Sequence, residues 1–574
     1  MQQSSLYHVK TSLKGALLIV FILSTFFPFS SPVRTASAEA AGSCPTGRRC
    51  FYLPQITSQS TSGDLEMNGV ELNQAVQDAQ NSVPLIAGRA TMVRLYARTV
   101  GSAQPLTNVK VSVSATSMTN ALNEVSQAYV TTVPLSYDRD TLQSTVNISL
   151  PPAWLNGTVD LTFKLDPDNE VGESNENNNT ITRRFVFHQV PALKIMVVPI
   201  RYANTKDGRT YPAPTRDTIS DWIMRTYPIS RLEIVWRSTP YTFTGDLSTS
   251  TDFIRLLNEV TTLKSTENAP AHQVYYALVP TSDGSRSWFS GGVAGIGWVG
   301  SRTAVGIDLS GNSSQIAAHE IGHNLGMSHT PCGGPANPDP NFPYSDGSIG
   351  QYGLDVQANR LYVPTTKDMM TYCNPKWVSD YTYRKLFNAQ AQAEISAMRL
   401  TAEEPAEQGL LVRAQISGAG VELKPAYVLP GPFSQTPEPG DYLVEVLDGS
   451  GQVISQTAVQ AFQAELEEEG QERIFGINAV VPLGDSAASF RLMKDGQLLA
   501  EQALRPAAEA RPSLNGQSVQ WTEDIQQPAL VRYSEDGGHT WTTLGIDVTG
   551  GELTLRSELP AGALFQVIPA GALP

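Results

Sequence analysis

The segment HEIGHNLGMSH, residues 319–329, contains three of the seven histidines of this 574-residue chain. His319 and His323 are four positions apart, so both imidazoles would project from one face of a helix. The residues before and between them support a helix, because apolar side chains recur there at helical spacing. Ser313 or Ser314 is placed to cap the start of that helix.

Two imidazole nitrogens on one helix face match two positions of a tetrahedral Zn²⁺ ion. Glu320 follows the first histidine, and its carboxylate can take a proton from a zinc-bound water. Gly326 can adopt a positive φ angle and end the helix abruptly, so that the chain turns back and His329 supplies a third nitrogen. Three protein ligands leave one position for water, which is typical of a catalytic site. The sequence therefore predicts one catalytic zinc ion held by His319, His323 and His329.

The complete pattern, HExxHxxGxxH, resembles the metzincin clan of zinc endopeptidases. The resemblance implies a methionine turn beneath the zinc, and KDMMTYC, residues 367–373, contains two methionines. Met370 fits better than Met369, because it leaves the order M-x-Y. By the same resemblance Tyr372 is a fifth zinc ligand or stabilises the oxyanion, with a packed tyrosine as the alternative. The HTPCGGPANP segment that starts at His329 is similar to pappalysin-type and related bacterial secreted members.

This resemblance implies a secreted zinc endopeptidase in which Glu320 is the general base and the substrate is an extracellular protein or glycoprotein. An extended substrate is then expected along an edge strand of the sheet, within residues 288–309. The alternative is a secreted adhesion or binding protein whose metal site is only structural. The presence of Glu320 argues against that alternative, because a structural site has no use for a base.

Residues 1–38 have the order of a secretory signal peptide. Lys10 and Lys14 precede the apolar run 16–23, and small residues follow at 36–38. The apolar stretch is shorter than the roughly 20 residues that a membrane span needs, although a retained N-terminal anchor is the alternative. We therefore expect an exported and soluble protein.

The chain has four cysteines, an even number that suits an oxidising compartment. Proximity in the sequence favours a Cys44–Cys50 bridge, which leaves Cys332 to pair with Cys373, although four cysteines permit three pairings. The second bridge would close a loop of about forty residues and contribute roughly 3–4 kcal/mol of stability. It would also tie the loop of the third histidine to the methionine turn.

Residues 44–190 are predicted to form a β-sandwich, because strand-like runs alternate with turn residues. DPDNEVGESNENNN, residues 166–179, resembles the signature of the adhesion-related immunoglobulin-like module called CARDB. The crowded acids of this stretch either bind Ca²⁺ or form Asx-type turns, and the second interpretation is favoured.

From residue 191 to 400 strand-like and helix-like patterns alternate, which predicts a mostly parallel sheet. Strand patterns alone return afterwards, and we predict a β-sandwich over 405–508 and a small β domain over 509–574. SEDGGHTW, residues 534–541, fits the Asp-box hairpin motif and is assigned a structural role.

The expected architecture is thus multidomain, with an α/β (α+β) metzincin-like catalytic domain flanked by all-β immunoglobulin-like sandwich domains. The flanking domains would attach the enzyme to a cell surface or polymer. The net charge of −15 makes nucleic acid an unexpected partner, because an acidic surface repels phosphate backbones.

Overall fold

The computed structural model describes most of the chain from residue 63 onward. The described ranges are 63–117, 125–400, 406–433, 437–465, 472–506, 510–521, 527–556, 559–560 and 562–573. The predicted signal peptide and the predicted Cys44–Cys50 bridge lie outside these ranges. Over the described ranges, no helix is both long enough and apolar enough to cross a membrane. This part of the chain is multidomain and mostly β, with one region that contains helices.

A β-sandwich comes first, and its strands show the expected alternation. In the strand Gly157–Leu165 every second residue from Val159 to Leu165 is buried. One sheet has the order β1-β4-β7 and the other β3-β9-β8-β5-β6, and their inner faces share one core. The strands are β1 (Asp64–Asn73), β2 (Val76–Gln77), β3 (Leu85–Ile86), β4 (Thr91–Val100), β5 (Leu106–Ser117), β6 (Val125–Val133), β7 (Val146–Leu150), β8 (Gly157–Leu165) and β9 (Thr180–His188).

The acidic hairpin between β8 and β9 uses several of its carboxylates in local contacts. Asp166 accepts hydrogen bonds from the backbone N–H groups of Glu170 and Val171, at 3.0 and 2.7 Å. The Lys110 ammonium lies 2.8 Å from Asp168 and 2.7 Å from Glu170. These contacts support the turn interpretation of this stretch, and calcium binding stays an untested alternative.

The α/β region is built on a sheet of order β11-β10-β14-β16-β15, with β12 and β13 also paired to β10. β10, β12, β13, β14 and β16 run parallel, and β15 is an antiparallel edge strand. β14 is buried along its whole length, as expected for a sheet covered on both faces. The elements are β10 (Leu193–Asn204), β11 (Thr210–Tyr211), α1 (Ser220–Thr226), β12 (Leu232–Trp236), β13 (Tyr241–Gly245), α2 (Ser250–Thr266), β14 (Val274–Pro280), β15 (Gly295–Gly297), β16 (Thr303–Asp308) and α3 (Ser313–Asn324).

After α3, short strands connect this region to the N-terminal sandwich. β17 pairs with β2, so that one small sheet contains strands from both regions. The Ala75 carbonyl accepts hydrogen bonds from the Trp377 indole and from the Leu354 backbone, both at 2.7 Å. The elements are β17 (Tyr352–Asp355), β18 (Arg360–Tyr362), β19 (Lys367–Asp368), β20 (Lys376–Trp377) and α4 (Asp380–Leu400).

A second sandwich follows, in which the sheets β22-β21-β27-β26, with β23 on β21, and β25-β24-β28-β29 enclose one core. The strands are β21 (Ala406–Ser417), β22 (Gly420–Leu423), β23 (Tyr427–Phe433), β24 (Tyr442–Asp448), β25 (Val453–Val459), β26 (Phe462–Gln463), β27 (Phe475–Pro482), β28 (Ala487–Lys494) and β29 (Gln497–Ala503).

The C-terminal strands form small sheets with a core of their own. In the Asp-box hairpin the Asp536 carboxylate accepts hydrogen bonds from the backbone and the hydroxyl of Thr540, at 2.8 and 2.6 Å, so these contacts shape the turn. The strands are β30 (Arg505–Pro506), β31 (Ser513–Asn515), β32 (Ser518–Gln520), β33 (Ala529–Ser534), β34 (Thr542–Val548), β35 (Glu552–Thr554), β36 (Leu564–Pro569) and β37 (Ala572–Leu573).

Candidate metal centre

Helix α3 carries the HExxH segment and ends where the sequence predicts. Gly326 has a φ of +84°, and its N–H bonds to the His323 carbonyl at 2.8 Å. The Met327 N–H bonds to the Gly322 carbonyl at 3.0 Å, which completes a Schellman motif. This ending reverses the chain and returns His329 to the helix.

The expected serine cap of α3 is wrong. Asn312 is the N-cap residue, and its side chain makes no capping hydrogen bond. Ser313 is already the first helical residue, and its hydroxyl donates to the Asp308 carboxylate or the Leu309 carbonyl, at 2.8 and 2.9 Å. The serine is thus engaged with the end of β16, which precedes the helix.

The three histidines converge on one point. Nε2 of His319 lies 3.1 Å from Nε2 of His323 and 3.1 Å from Nε2 of His329. All three side chains are buried, and they form the group of metal-ligand residues found among the described residues. Tetrahedral zinc with Zn–N bonds of about 2.0–2.1 Å separates two ligand nitrogens by roughly 3.3–3.4 Å. The spacing and the donor type therefore fit zinc.

Hydrogen bonds at the other ring nitrogens fix two of these histidines for metal binding. His319 Nδ1 lies 3.0 Å from the Met369 carbonyl oxygen, and His323 Nδ1 lies 2.7 Å from the Met327 carbonyl oxygen. A carbonyl can only accept, so each Nδ1 carries the proton and each Nε2 directs its lone pair at the common point. Burial is the main cause that lowers the pKa of His323 to about 4 and that of His329 to about 3. It also holds the pKa of His319 well below its usual range. The rings are therefore neutral near pH 7, as ligands must be.

Glu320 lies directly beneath the edge strand β15. It is only 4% exposed, and a Cβ atom added at Gly295 would lie 2.5 Å from its Oε1. The glycine of the strand therefore makes the room that the carboxylate occupies. A cavity of about 240 Å³ opens beside His319 and Glu320, with Trp222, Leu309 and Ile316 among its lining residues.

For the zinc endopeptidase that the resemblance implies, we expect Gly295→Ala to reduce hydrolysis by up to roughly 100-fold, because a misplacement of about 1 Å can cost this much. The added methyl group would displace the Glu320 carboxylate, whereas the three histidines would keep their positions. Peptide hydrolysis and zinc content measured on the same preparation test this. Gly449→Ala is the matched control, since no atom lies within 4 Å of a Cβ there. Full activity in Gly295→Ala would contradict the placement of Glu320.

The segment after β19 lies under α3 and contains both methionines. A Cβ atom at Gly322 would lie 2.7 Å from the Met370 sulfur, so this side chain packs directly beneath the helix glycine between the two histidines. The Met370 N–H donates to the Asp368 carboxylate at 2.8 Å, and the Thr330 N–H donates to the Met370 carbonyl at 3.1 Å. Met370 thus packs against the helix that carries His319 and His323, whereas Met369 contributes its carbonyl to His319.

Tyr372 is brought to the third histidine. Its hydroxyl lies 3.0 Å from Nε2 and 3.2 Å from Nδ1 of His329, and the two ring centroids are 4.6 Å apart. Gly333 packs against it, because a Cβ there would lie 2.7 Å from the Tyr372 Cβ. The phenol is therefore adjacent to the point on which the histidines converge.

Cys332 and Cys373 are joined in a disulfide, which is the pairing that sequence proximity favoured. The bridge links the loop after His329 to the residue that follows Tyr372. It therefore connects the two segments that enclose the histidines.

We expect Cys332→Ser combined with Cys373→Ser to lower the free energy of unfolding by about 3–4 kcal/mol, since the bridge spans 41 residues. Activity should fall at temperatures where the flanking β-domains remain folded, because both ends of the bridge flank the site. Thermal unfolding and hydrolysis are measured with Cys44→Ser combined with Cys50→Ser as the control. Unchanged activity in the first double variant, or peptide mapping that links Cys332 to Cys44 or Cys50, would contradict this arrangement.

The fold and this site define a zincin-like metalloprotease domain joined to an immunoglobulin-like module. The Peptidase M66 family model matches residues 254–405, and the CARDB family model matches residues 64–183. The chain therefore carries a Peptidase M66 metalloprotease domain and a CARDB domain. This confirms the resemblance and the assignment of a metalloprotease made from the sequence.

Comparison with curated proteins finds no match. Among solved structures, a crystal structure of a CARDB domain from Pyrococcus furiosus in complex with di-metal ions is 13% identical, with 22% of this chain and 94% of that chain covered and a TM-score of 0.16. A solution structure of that domain is 17% identical, with 22% and 95% covered and a TM-score of 0.16. A glycosyl hydrolase family 2 member from Bacteroides cellulosilyticus is 8% identical, with 90% and 76% covered and a TM-score of 0.15. With TM-scores this low, none of these three structures supports a conclusion about the fold or the function of this chain.

Proposed function

We propose that the protein is a secreted zinc endopeptidase that hydrolyses peptide bonds of extracellular proteins. The observation that carries the proposal is the convergence of three buried histidine Nε2 atoms at a cavity that His319 and the buried Glu320 both line. The disulfide between Cys332 and Cys373 supports a place outside the reducing cytosol. The metzincin-like arrangement of helix, glycine turn and methionine segment supports proteolysis as the reaction.

Each residue near the histidines has a proposed role in that reaction. His319, His323 and His329 hold zinc, which when bound supplies Lewis acidity that activates water and polarises a carbonyl group. Glu320 accepts the proton of the attacking water and then donates it to the leaving amine. Tyr372 is placed to donate a hydrogen bond to the carbonyl oxygen as negative charge develops there. Met370 supports the helix from below.

The substrate is proposed to lie along the edge strand β15, as the sequence suggests. β15 pairs with β16 on one side and is the last strand of its sheet. Part of its other side is already covered, because the Gly297 carbonyl and the Val299 N–H bond to the backbone of Glu465 and Gln463. We therefore propose that an extended peptide adds to the sheet at residues 291–295, above Glu320. The neighbouring cavity would receive one of its side chains.

The flanking β-domains are proposed to position the enzyme on its target. The CARDB domain and the β-rich C-terminal part would attach the protein to a cell surface or a polymer, and glycoproteins are a proposed substrate class. The net charge of −15 supports partners other than nucleic acid.

The rival function is a secreted adhesion or binding protein whose metal is structural, which the CARDB domain favours. A structural zinc site usually has four protein ligands, whereas the described residues bring together three histidines. Glu320 also favours the endopeptidase, because a structural site has no use for a base.

The two functions are separated by incubating the purified protein with an unstructured protein such as casein. The proposed function predicts cleavage at internal peptide bonds, loss of cleavage on chelation, and internal fragments visible by mass spectrometry. A protein that binds zinc but leaves casein and a diverse peptide library intact would support the rival function.

A further inference from the structure

The third histidine has a different partner from the other two. His319 and His323 direct Nδ1 at backbone carbonyls of Met369 and Met327, both within the α/β region. His329 Nδ1 instead lies 3.1 Å from Oε1 of Glu465, a residue of the second sandwich that is 136 positions later in the chain. Both side chains are buried, at 1% and 4% side-chain exposure. A carboxylate is thus held at the ring nitrogen that faces away from the other histidines.

The chain places Glu465 by joining the two regions at a sheet edge. Ala464 forms an antiparallel bridge with Trp298, directly after β15. On either side of this bridge the Val299 N–H donates to the Gln463 carbonyl at 2.9 Å and the Glu465 N–H donates to the Gly297 carbonyl at 3.3 Å. These bonds fix the direction in which the Glu465 side chain leaves the strand.

The other edge of this segment belongs to the second sandwich. The Ala464 N–H donates to the Ile474 carbonyl at 2.9 Å, and β26 pairs with β27. Arg473 adds a contact to the loop that follows the third histidine, with 2.6 Å between its guanidinium and the Asn337 side-chain oxygen. A Cβ atom at Gly476 would lie 2.7 Å from the Trp298 ring, so this tryptophan packs closely on the sandwich. The segment is therefore braced from both sides.

Tyr372 also lies near Nδ1 of His329, with its hydroxyl 3.2 Å from that nitrogen. Its hydroxyl is about equally far from both ring nitrogens of His329, and the two N–H directions of an imidazole diverge. A single oxygen at such a position cannot be aligned with both. Glu465 is the carboxylate near Nδ1, at 3.1 Å, so it is the charged acceptor that can hold the ring.

We infer that Glu465 is a positioning residue of the metal centre, so that the second sandwich, which begins at β21 and ends at β29, completes the zinc site of the preceding region. This inference rests on the proposed function, because it needs the histidines to bind zinc. An Nδ1–H bonded to a carboxylate orients the ring, fixes its tautomer and makes Nε2 a stronger donor. The carboxylate also offsets part of the positive charge that zinc would bring to a buried site of neutral ligands. Loss of such a partner typically costs 10–100-fold in metal affinity.

The test measures zinc binding in the full chain, by competition with a chromophoric chelator, and compares Glu465→Ala and Glu465→Gln with the unaltered protein. We expect zinc to bind 10–100-fold more weakly in Glu465→Ala and to leave faster. Glu465→Gln keeps the volume and a neutral acceptor, so it should recover part of the affinity. The visible spectrum of bound Co²⁺ should change in the alanine variant and return towards the original in the glutamine variant.

Glu445→Ala and Glu445→Gln are the matched controls. Glu445 is another buried carboxylate of the same sandwich, but it contacts Arg491 and Gln456. Its loss should lower stability without changing zinc affinity or the Co²⁺ spectrum. If Glu465→Ala does not fold, the inference is tested with Glu465→Gln alone. An unaltered zinc affinity and an unaltered Co²⁺ spectrum in that variant would overturn the inference. If the unaltered protein binds no zinc at the histidines, the proposed function itself fails, which is a different outcome.

Discussion

Glu320→Gln should reduce peptide hydrolysis by about 10²–10⁴-fold while zinc content stays near one per chain. Glutamine fills the same volume but cannot accept the proton of the attacking water. Zinc should remain, because the three histidine Nε2 atoms converge without a Glu320 oxygen among the grouped ligand atoms. Hydrolysis of a quenched fluorescent peptide and metal analysis of the same sample measure both quantities.

Glu259→Gln is the control for this experiment. Glu259 is a glutamate of α2 whose carboxylate lies 3.0 Å from both the Tyr241 hydroxyl and the Arg255 guanidinium. It should retain hydrolysis, because it contacts neither the histidines nor the cavity next to Glu320. Loss of zinc in Glu320→Gln would instead make Glu320 a ligand, and retained hydrolysis would remove it from the reaction.

His329→Ala should lower zinc affinity by more than the roughly 10–100-fold that the loss of a ligand's hydrogen-bond partner costs. Two histidines on one helix hold zinc poorly, and hydrolysis should fall together with the metal content. Zinc affinity is measured by chelator competition, and hydrolysis is measured at zinc concentrations that refill the site. His272→Ala is the control, because His272 is outside the histidine group.

Zinc retained at full affinity in His329→Ala would require another ligand. Asp346 and Asp355 are the acids that the intervening loop offers in the sequence. The structure engages them elsewhere, since Asp346 lies 2.9 Å from the Lys367 ammonium and Asp355 lies 2.7 Å from the Arg225 guanidinium. We therefore expect neither acid to replace the histidine.

Local features of the site could be predicted from the sequence because each depends on a short stretch of chain. The spacing of His319 and His323 depends only on helix geometry, and the turn at Gly326 depends on a residue that tolerates positive φ. The mostly parallel sheet followed from the alternation of strand and helix patterns. Proximity and the small number of cysteines sufficed for the Cys332–Cys373 pair.

The features that could not be predicted from the sequence depend mainly on contacts between segments that are distant in the chain. The Glu465 carboxylate reaches His329 only because Ala464 pairs with Trp298, and no local pattern marks such a pairing. β2 and β17 are short strands without a periodicity that could reveal their partner. The serine cap failed for a different and local reason, because the Ser313 hydroxyl donates to acceptors at the end of the preceding strand.

Titration of the zinc-free protein with zinc tests the central claim most directly. Hydrolysis of a peptide substrate should be absent after chelation, should rise in proportion to added zinc, and should level off at about one equivalent per chain. Glu320→Gln titrated in parallel should bind the same amount of zinc and stay inactive. Hydrolysis that persists without zinc, or bound zinc that restores none in the unaltered protein, would contradict the account of a zinc endopeptidase.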